Sequence, residues 1–419
     1  MPRPREAPML LVKLRTDEGQ DFRVVTDRVL EFRYTDRERK ADVCKLVVDN
    51  ADLSNFDDPV FKKGSRLIVA WGYPGRMSPE RQVVITSVKG FRRLEIEANA
   101  ESVLLNTVVR NRTFQNQTVS QVIRGLASDA GFTGSSAIIE DTAEVIDTIT
   151  QSRLTDAQFI RRWASRLGFE FYVDHEGFHF HPRRLGEAPV RTFRYFTDPG
   201  QGDILDEPTI DNDVTARPGR VRARGRDPLR REDIDETADD ESDTDRDVLA
   251  PILEILDPED GSSVHVGNRL ASEDVVPVSS DTAADARTRA RARFRRVQQV
   301  AVKMSLPVIG DPQLFAKTVV QIEGMGVRLS VRYWVTEVEH DLSPGGYRCT
   351  LKLVSDGHGG HSTTSRRVRG LELLESNRSE PAASGTQNTG DGPDEPGAGE
   401  DAPLREILDS ETGRSIFRQ

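Results

Sequence analysis

The chain has 419 residues, more than one core usually serves, so two or three domains with enough apolar surface to fold unaided are expected. A net charge of −11 and a pI near 5.3 argue against a protein that coats nucleic acid through a general basic field. No apolar run approaches the roughly 20 residues that span a bilayer, and Lys13 interrupts the patch from Met9 to Val12, so neither a signal peptide nor an integral membrane segment is expected.

Residues 9–105 read as β-strands. Cys44, Leu46 and Val48 alternate with polar positions before the turn at Asp49-Asn50. Leu94, Ile96, Ala98 and Ala100 alternate with Arg93, Glu95, Glu97 and Asn99, a period of two with one buried face. Residues 67–73 are more continuously apolar, the pattern of a strand covered on both sides. Short strands in such succession point to a barrel or sandwich.

Residues 118–181 break this rhythm with two short helices of one design and a hairpin. Thr118 and Gln121 form a capping-box pair worth about 1 kcal/mol; Val119, Val122, Ile123 and Leu126 then line one face, and Gly131 ends the helix. The second helix repeats the grammar with Thr155 and Gln158, a face of Phe159, Ile160, Trp163 and Leu167, and a stop at Gly168. Residues 169–173 and 178–181 read as strands around the turn Asp174-His175-Glu176-Gly177. Both helices are expected to pack on one small sheet.

A second β region opens at Val221 and is clearest after residue 299, where Val300, Val302, Met304 and Leu306, and later Tyr347, Cys349, Leu351 and Leu353, alternate with polar residues. Turn signals separate these runs at Gly310-Asp311-Pro312, Gly324-Met325-Gly326 and Ser343-Pro344-Gly345-Gly346. The basic run 217–231 and the acidic run 232–247 read as a solvated loop. Residues 282–299, rich in Ala and Arg, are expected to form a mostly exposed helix. Beyond Ser355 the composition cannot offset ordering entropy, so a mobile tail is expected apart from a short docking segment at 404–417. The only cysteines, Cys44 and Cys349, lie in strand patterns and read as buried free thiols.

Several of these strings, in this order, resemble the phage late control gene D family of baseplate hub proteins. Val47-Val48-Asp49-Asn50, Lys63-Gly64 and residues 67–73 are similar to the family's first-barrel pattern. Residues 114–119 with Val122-Ile123 and Gly131-Phe132 are similar to its first insert helix, and residues 155–171 to its second. Residues 335–340, Gly345-Gly346-Tyr347 and Thr350-Leu351 resemble its closing hairpin.

The resemblance implies a β-rich α+β fold: a first tube-like β-barrel at 1–108, an inserted small α/β domain at 109–200 and a second tube-like barrel at 201–356, carrying an acidic loop at 227–259 and the helix at 282–299. A low-complexity tail at 357–419 completes the chain. It further implies a homotrimer whose six barrels join a six-fold tail tube, or its initiator protein, to a three-fold spike protein, with baseplate wedge proteins around it. Such a protein is assembled in the cytoplasm and ends in a phage tail or injection-system particle. The acidic loop and the tail depart from the family pattern.

The sequence assigns no catalytic, metal or cofactor site. Glu337 and Glu339 share a strand face and read as a solvent-facing or subunit-facing edge. His179 and His181, even with His175, lack a further ligand at useful spacing, and His358 and His361 sit in a Gly-rich stretch. Gly324-Met325-Gly326 lacks the context of a phosphate loop. Arg161, Arg162, Arg166 and the arginines of 287–296 read as solvated faces or inter-subunit ion pairs, while Phe171, Tyr172 and Phe178 are core candidates before they are a glycan platform. The competing functions are a tail-borne cell-wall hydrolase or glycan-binding protein, and a nucleic-acid binder using the Arg-rich helix without sequence specificity. The absence of a catalytic constellation and the acidic balance favour a structural hub.

Overall fold

A computed structural model describes residues 7–357 apart from 16–21, 58–60, 196–202, 212–217, 228–230, 240–241, 244–246, 251–253, 257–262, 266–272 and 280–281. His358, His361 and the segment 404–417 lie outside these residues.

Period-two alternation becomes strands β1 (Met9–Arg15), β2 (Phe22–Val24), β3 (Val29–Arg37), β4 (Val43–Asp49), β5 (Arg66–Tyr73), β6 (Arg76–Met77), β7 (Arg81–Gly90) and β8 (Arg93–Ala100). Register sets Cys44 opposite Ala98, Leu46 opposite Ile96 and Val48 opposite Leu94, so the apolar face of each strand meets that of its neighbour. In β5 the consecutive residues Ala70, Trp71 and Gly72 are all buried, as expected of a strand covered on both sides.

The insert contains β9 (Val109–Thr118), α1 (Val119–Asp129), β10 (Ala137–Ile139), β11 (Val145–Thr155), α2 (Asp156–Leu167), β12 (Phe169–Val173) and β13 (Phe178–Pro182). Both expected capping boxes are present, with the Thr118 and Thr155 hydroxyls each accepting the N3 backbone N–H and each N3 glutamine answering back. Val122, Ile123, Leu126, Phe159 and Ile160 share one core with Phe171, Phe178 and Phe180 of the β12–β13 hairpin. Burying each of these large side chains contributes about 1.5–3 kcal/mol. Gly168 ends α2 in the left-handed region at φ 77°, and a Cβ there would meet that of Ala292 at 3.1 Å.

After β14 (Arg191–Arg194) and β15 (Thr209–Asp211) comes a unit that the sequence reading did not separate. It holds β16 (Arg220–Arg226), β17 (Asp233–Asp239), the short pair β18 (Glu254–Leu256) and β19 (Ser263–His265), β20 (Glu273–Ser279) and α3 (Ala283–Gln298). Strands β17-β16-β20 form their own sheet, which α3 covers with Ala286, Ala290 and Phe294 against Val221, Ala223, Ile234 and Ala238. Two expectations change here. The helix is half-buried rather than mostly exposed, because its inner face is built from alanines that permit close approach. Part of the acidic run is a strand rather than a loop, because its carboxylates pair across the ladder with the basic run: Asp235 with Arg222, and at 3.7 Å with Arg224.

The last described strands are β21 (Val302–Ile309), β22 (Val319–Glu323), β23 (Arg332–Ser343) and β24 (Gly346–Ser355). The N-terminal and C-terminal strands share one 14-stranded sheet, whose main path is β15-β21-β24-β23-β3-β4-β8-β7-β5-β1-β2. The two β regions meet where β3 pairs with β23, setting Arg33 opposite Asp341 and Tyr34 opposite His340. One apolar core runs through both. Among the described residues no ladder joins the two ends of the path. The sheet is nevertheless strongly curved: β5 lies several strands from β3 in the ladder, yet the Trp71 ring centroid is 4.6 Å from that of Tyr34 and 4.9 Å from that of His340.

Candidate functional site

The seam between β3 and β23 carries a buried polar cluster onto which the insert docks. Asp36 continues the inward parity of Phe32 and Tyr34 along β3, which brings a carboxylate into the core. Its Oδ1 lies 2.6 Å from Lys317 Nζ, and its Oδ2 accepts the Ala316 backbone N–H at 3.1 Å. Asp42 accepts the Tyr34 hydroxyl at 2.9 Å and the Arg37 N–H at 3.1 Å. Burial pushes the Asp42 carboxyl up to about 7, and neighbouring Asp36 adds to the rise while Lys317 opposes it. Burial alone would lower the Lys317 ammonium, but Asp36 and Asp42 outweigh it and hold the pKa above its ordinary value.

The tip of the β12–β13 hairpin closes over this cluster. The Tyr172 ring lies 4.7 Å from Lys317 Nζ, and His175 Nδ1 lies 2.8 Å from Arg81 Nη1 on β7. The same guanidinium sits 4.6 Å from the Phe315 ring. Asp174 shapes the turn by accepting the Glu176 and Gly177 N–H groups and contacting His179 Nε2 at 3.0 Å. Burial works against its charge, yet these hydrogen bonds hold the carboxyl well below its usual range. Gly177, at φ 143°, is required because a Cβ would fall 2.1 Å from the Ser136 carbonyl oxygen.

A second network fastens the other side of the insert. Arg183 donates to both oxygens of Glu38 at 2.7 Å and lies 3.2 Å from Glu170. Trp334 Nε1 on β23 donates to Glu38 at 2.7 Å, and Arg183 donates to Gln299 at 2.8 Å just past α3. Burial, then the nearby Glu38 charge, raises the Glu170 carboxyl. In this network β3, β23, the insert and the end of α3 are keyed to one another by ions withdrawn from water.

The residues singled out from sequence fall into place around this seam. Glu337 and Glu339 sit on a central strand, where they pair with Lys352 at 2.7 Å and Arg33 at 3.5 Å, respectively. That corrects their reading as an edge, since β23 has neighbours on both sides. The His181 ring contacts the Pro182 carbonyl oxygen at 2.7 Å, and burial lowers its pKa to about 4. Among the described residues no group of three His, Cys, Asp or Glu side chains is placed to hold a metal. Gly324 and Gly326 make a tight turn into the four-residue helix Gly326–Leu329. Phe171 and Phe178 are buried in the insert core.

The arginines of α3 reach partners within this chain: Arg287 meets Glu236, Arg293 meets Asp274 and Arg295 meets Asp243. Arg166 of α2 grips Asp285 of α3 and lies 4.8 Å from the Trp163 ring, so the two inserted units are clasped together. Sequence reasoning missed a buried trio in which Cys349 Sγ is 3.2 Å from His340 Nδ1, itself 2.8 Å from the Tyr347 hydroxyl. It has the composition of a nucleophile pair, but burial pushes the thiol up to about 12 and the imidazole down to about 4. Both groups are therefore neutral and sealed in the core. Asp36 was also missed, although an acid at an inward position after Phe32 and Tyr34 was a legible signal.

A family model described as phage tail baseplate hub (GPD) matches residues 81–346, more than half of the chain. The fold is similar to that of the tail protein from Neisseria meningitidis MC58, with a TM-score of 0.59 and 14% identity over 83% of this chain and 97% of that one. It is also similar to a tail protein of prophage MuSo2 from Shewanella oneidensis, with a TM-score of 0.55 and 13% identity, covering 84% of this chain and 99% of that one. A prophage tail protein from Listeria monocytogenes EGD-e gives 0.51 and 12%, covering 88% of this chain and 98% of that one. No curated protein matches the sequence.

Proposed function

Because the chain belongs to the phage tail baseplate hub family, we propose that it is the hub of a contractile tail or contractile injection system, a homotrimeric adaptor between a six-fold tail tube and a three-fold spike. The observation that carries this reading is the strongly curved sheet in which β3 pairs with β23, welding the N-terminal and C-terminal β regions into one body. In this reading each region acts as one tube-like barrel segment, and three copies present six such segments to the tube or its initiator protein. The spike protein seats on the opposite side of that ring. The insert, clamped to the seam through Arg81, Arg183 and Lys317, braces the ring from outside and meets the baseplate wedge proteins.

The work of such a protein lies in buried interface area and matched geometry, without turnover. It is assembled in the cytoplasm and carried in the particle; on firing it travels with the tube or opens to release the spike. Native mass spectrometry of the purified chain, alone and mixed with its tube and spike proteins, tests the reading. A trimer that captures both is expected. A strictly monomeric chain with no affinity for either overturns it.

A further inference from the structure

The insert and the α3 unit face each other across a cleft of about 650 Å³ whose charge runs against that of the whole protein. Arg162 and Arg166 of α2, with Arg289, Arg293 and Arg296 of α3, line it beside Trp163, and no Asp or Glu is among its lining residues. Among the described residues Asp285 and Asp274 pair with Arg166, Arg289 and Arg293, and Glu170 acts on Arg296 from outside the cleft, so the five guanidiniums outnumber these acids in a chain of net charge −11. These acids fix the side chains in place without neutralising the cleft, which lowers the ordering cost of binding an anion.

The walls add a second feature. Thr148 and Thr150 of β11 and Val276 of β20 also line the cleft. Among the described residues β11 pairs only with β9, and β20 pairs only with β16, so each wall carries a strand with one open edge. An open edge presents main-chain donors and acceptors that an added strand can satisfy.

We propose that this cleft is a docking site for an extended segment of a partner protein in which Asp or Glu alternates with apolar residues. A strand sends alternate side chains to opposite faces, so such a segment directs its carboxylates at the arginines of α3 on one wall and its apolar residues at the half-buried Trp163 ring of α2 on the other. Nucleic acid fits less well. Its charge is continuous along the backbone and runs beyond the cleft into the field of an acidic protein, and a phosphodiester chain makes no use of strand edges. The site is separate from the seam and goes beyond the hub reading.

The test uses the full chain and a fluorescent peptide of about ten residues alternating Glu with Val, a strand-length probe. A Lys–Val peptide and oligothymidylate are run in parallel. Saturable binding of the acidic peptide is expected, lost in about 1 M salt, where screening acts within about 3 Å. The double charge reversal Arg162→Glu with Arg293→Glu should weaken it at least about tenfold, whereas Lys63→Glu, exposed in the turn before β5, should leave it unchanged. Both arginines of the double variant are exposed, so the fold survives, and unchanged circular dichroism checks this. Slowed amide exchange at Thr148 and Thr150, or on β20, on peptide addition reports strand pairing, which charge attraction alone does not produce. Failure of the acidic peptide to bind, binding indifferent to the reversal, absence of exchange protection, or stronger binding of oligothymidylate each overturns the proposal, whatever the oligomeric state of the hub.

Discussion

Replacing Asp42 by Asn isolates the electrostatic cost of the seam. Asn has nearly the same shape: its oxygen can accept the Arg37 N–H and its amide can donate to the Tyr34 hydroxyl, so both partners of the native carboxyl are kept. What changes is titration. In the folded protein the carboxyl is raised from 3.8 to about 7. Below about pH 4 both states hold the proton and the group has no effect; as pH rises the unfolded chain releases it first, so wild-type stability falls until about pH 7. The span from 3.8 to about 7, at about 1.4 kcal/mol per unit, sets a ceiling of about 4 kcal/mol. The raw pH profile conceals this, because His181 and His340 are lowered to about 4 and so lose stability in the opposite direction, as pH falls from 6.5. The difference between Asp42→Asn and wild type removes those shared slopes. Urea unfolding in steps from about pH 4 to about pH 8 should show the variant gaining on wild type up to about pH 7 and holding that margin above it. A difference that stays flat from about pH 4 to about pH 7 refutes a buried Asp42 whose carboxyl is raised.

Arg183→Met strips Glu38 and Glu170 of their shared buried cation and should lower unfolding free energy by about 3–5 kcal/mol, read as a lower urea midpoint at unchanged slope. Thr118→Ala and Thr155→Ala should each cost about 1 kcal/mol in thermal or urea melts. The loss should be greater at Thr155, whose hydroxyl also donates to Asn106 at 2.7 Å. Cys44 and Cys349 should both resist a maleimide in the native protein and react only on unfolding, since burial raises both thiols; prompt labelling of either would contradict the packing.

The insert was legible because its signals are local. A capping box, an apolar face and a stop fit within a dozen residues, and Thr118, Gln121, Thr155 and Gln158 do what their spacing implies. The seam was not legible because its partners are far apart in sequence: Arg33 and Asp341, bonded at 2.7 Å, are 308 positions apart. The unit around α3 was hidden by composition. Its inner positions are Ala and Gly as often as Val or Ile, so period-two and helical patterns are faint beneath the charges, and residues that pair across a ladder read as solvated. The arginines of α3 were visible individually, but their acids lie on β17, β20 and the chain after β17, beyond any local window.

Alternation alone leaves the register of the seam undecided. Sliding β3 against β23 by two residues keeps Phe32 and Tyr34 facing inward, so hydrophobic burial changes little. The exposed charges do not decide it either: Arg33 already touches Asp341 at 2.7 Å and Glu339 at 3.5 Å, and surface pairs contribute about 0–1 kcal/mol in any case. The buried ions differ in kind. The same slip withdraws Asp36 from Lys317 and Glu38 from Arg183 and Trp334, and each orphaned buried charge costs several kcal/mol against no compensating gain. Thus the seam's register is set by groups that add little to net stability but penalise every alternative heavily. Because Lys317 also meets Tyr172 of the insert, and Arg183, itself at the end of the insert hairpin, grips Glu38, one set of charges fixes both how the two β regions join and where the insert stands against them.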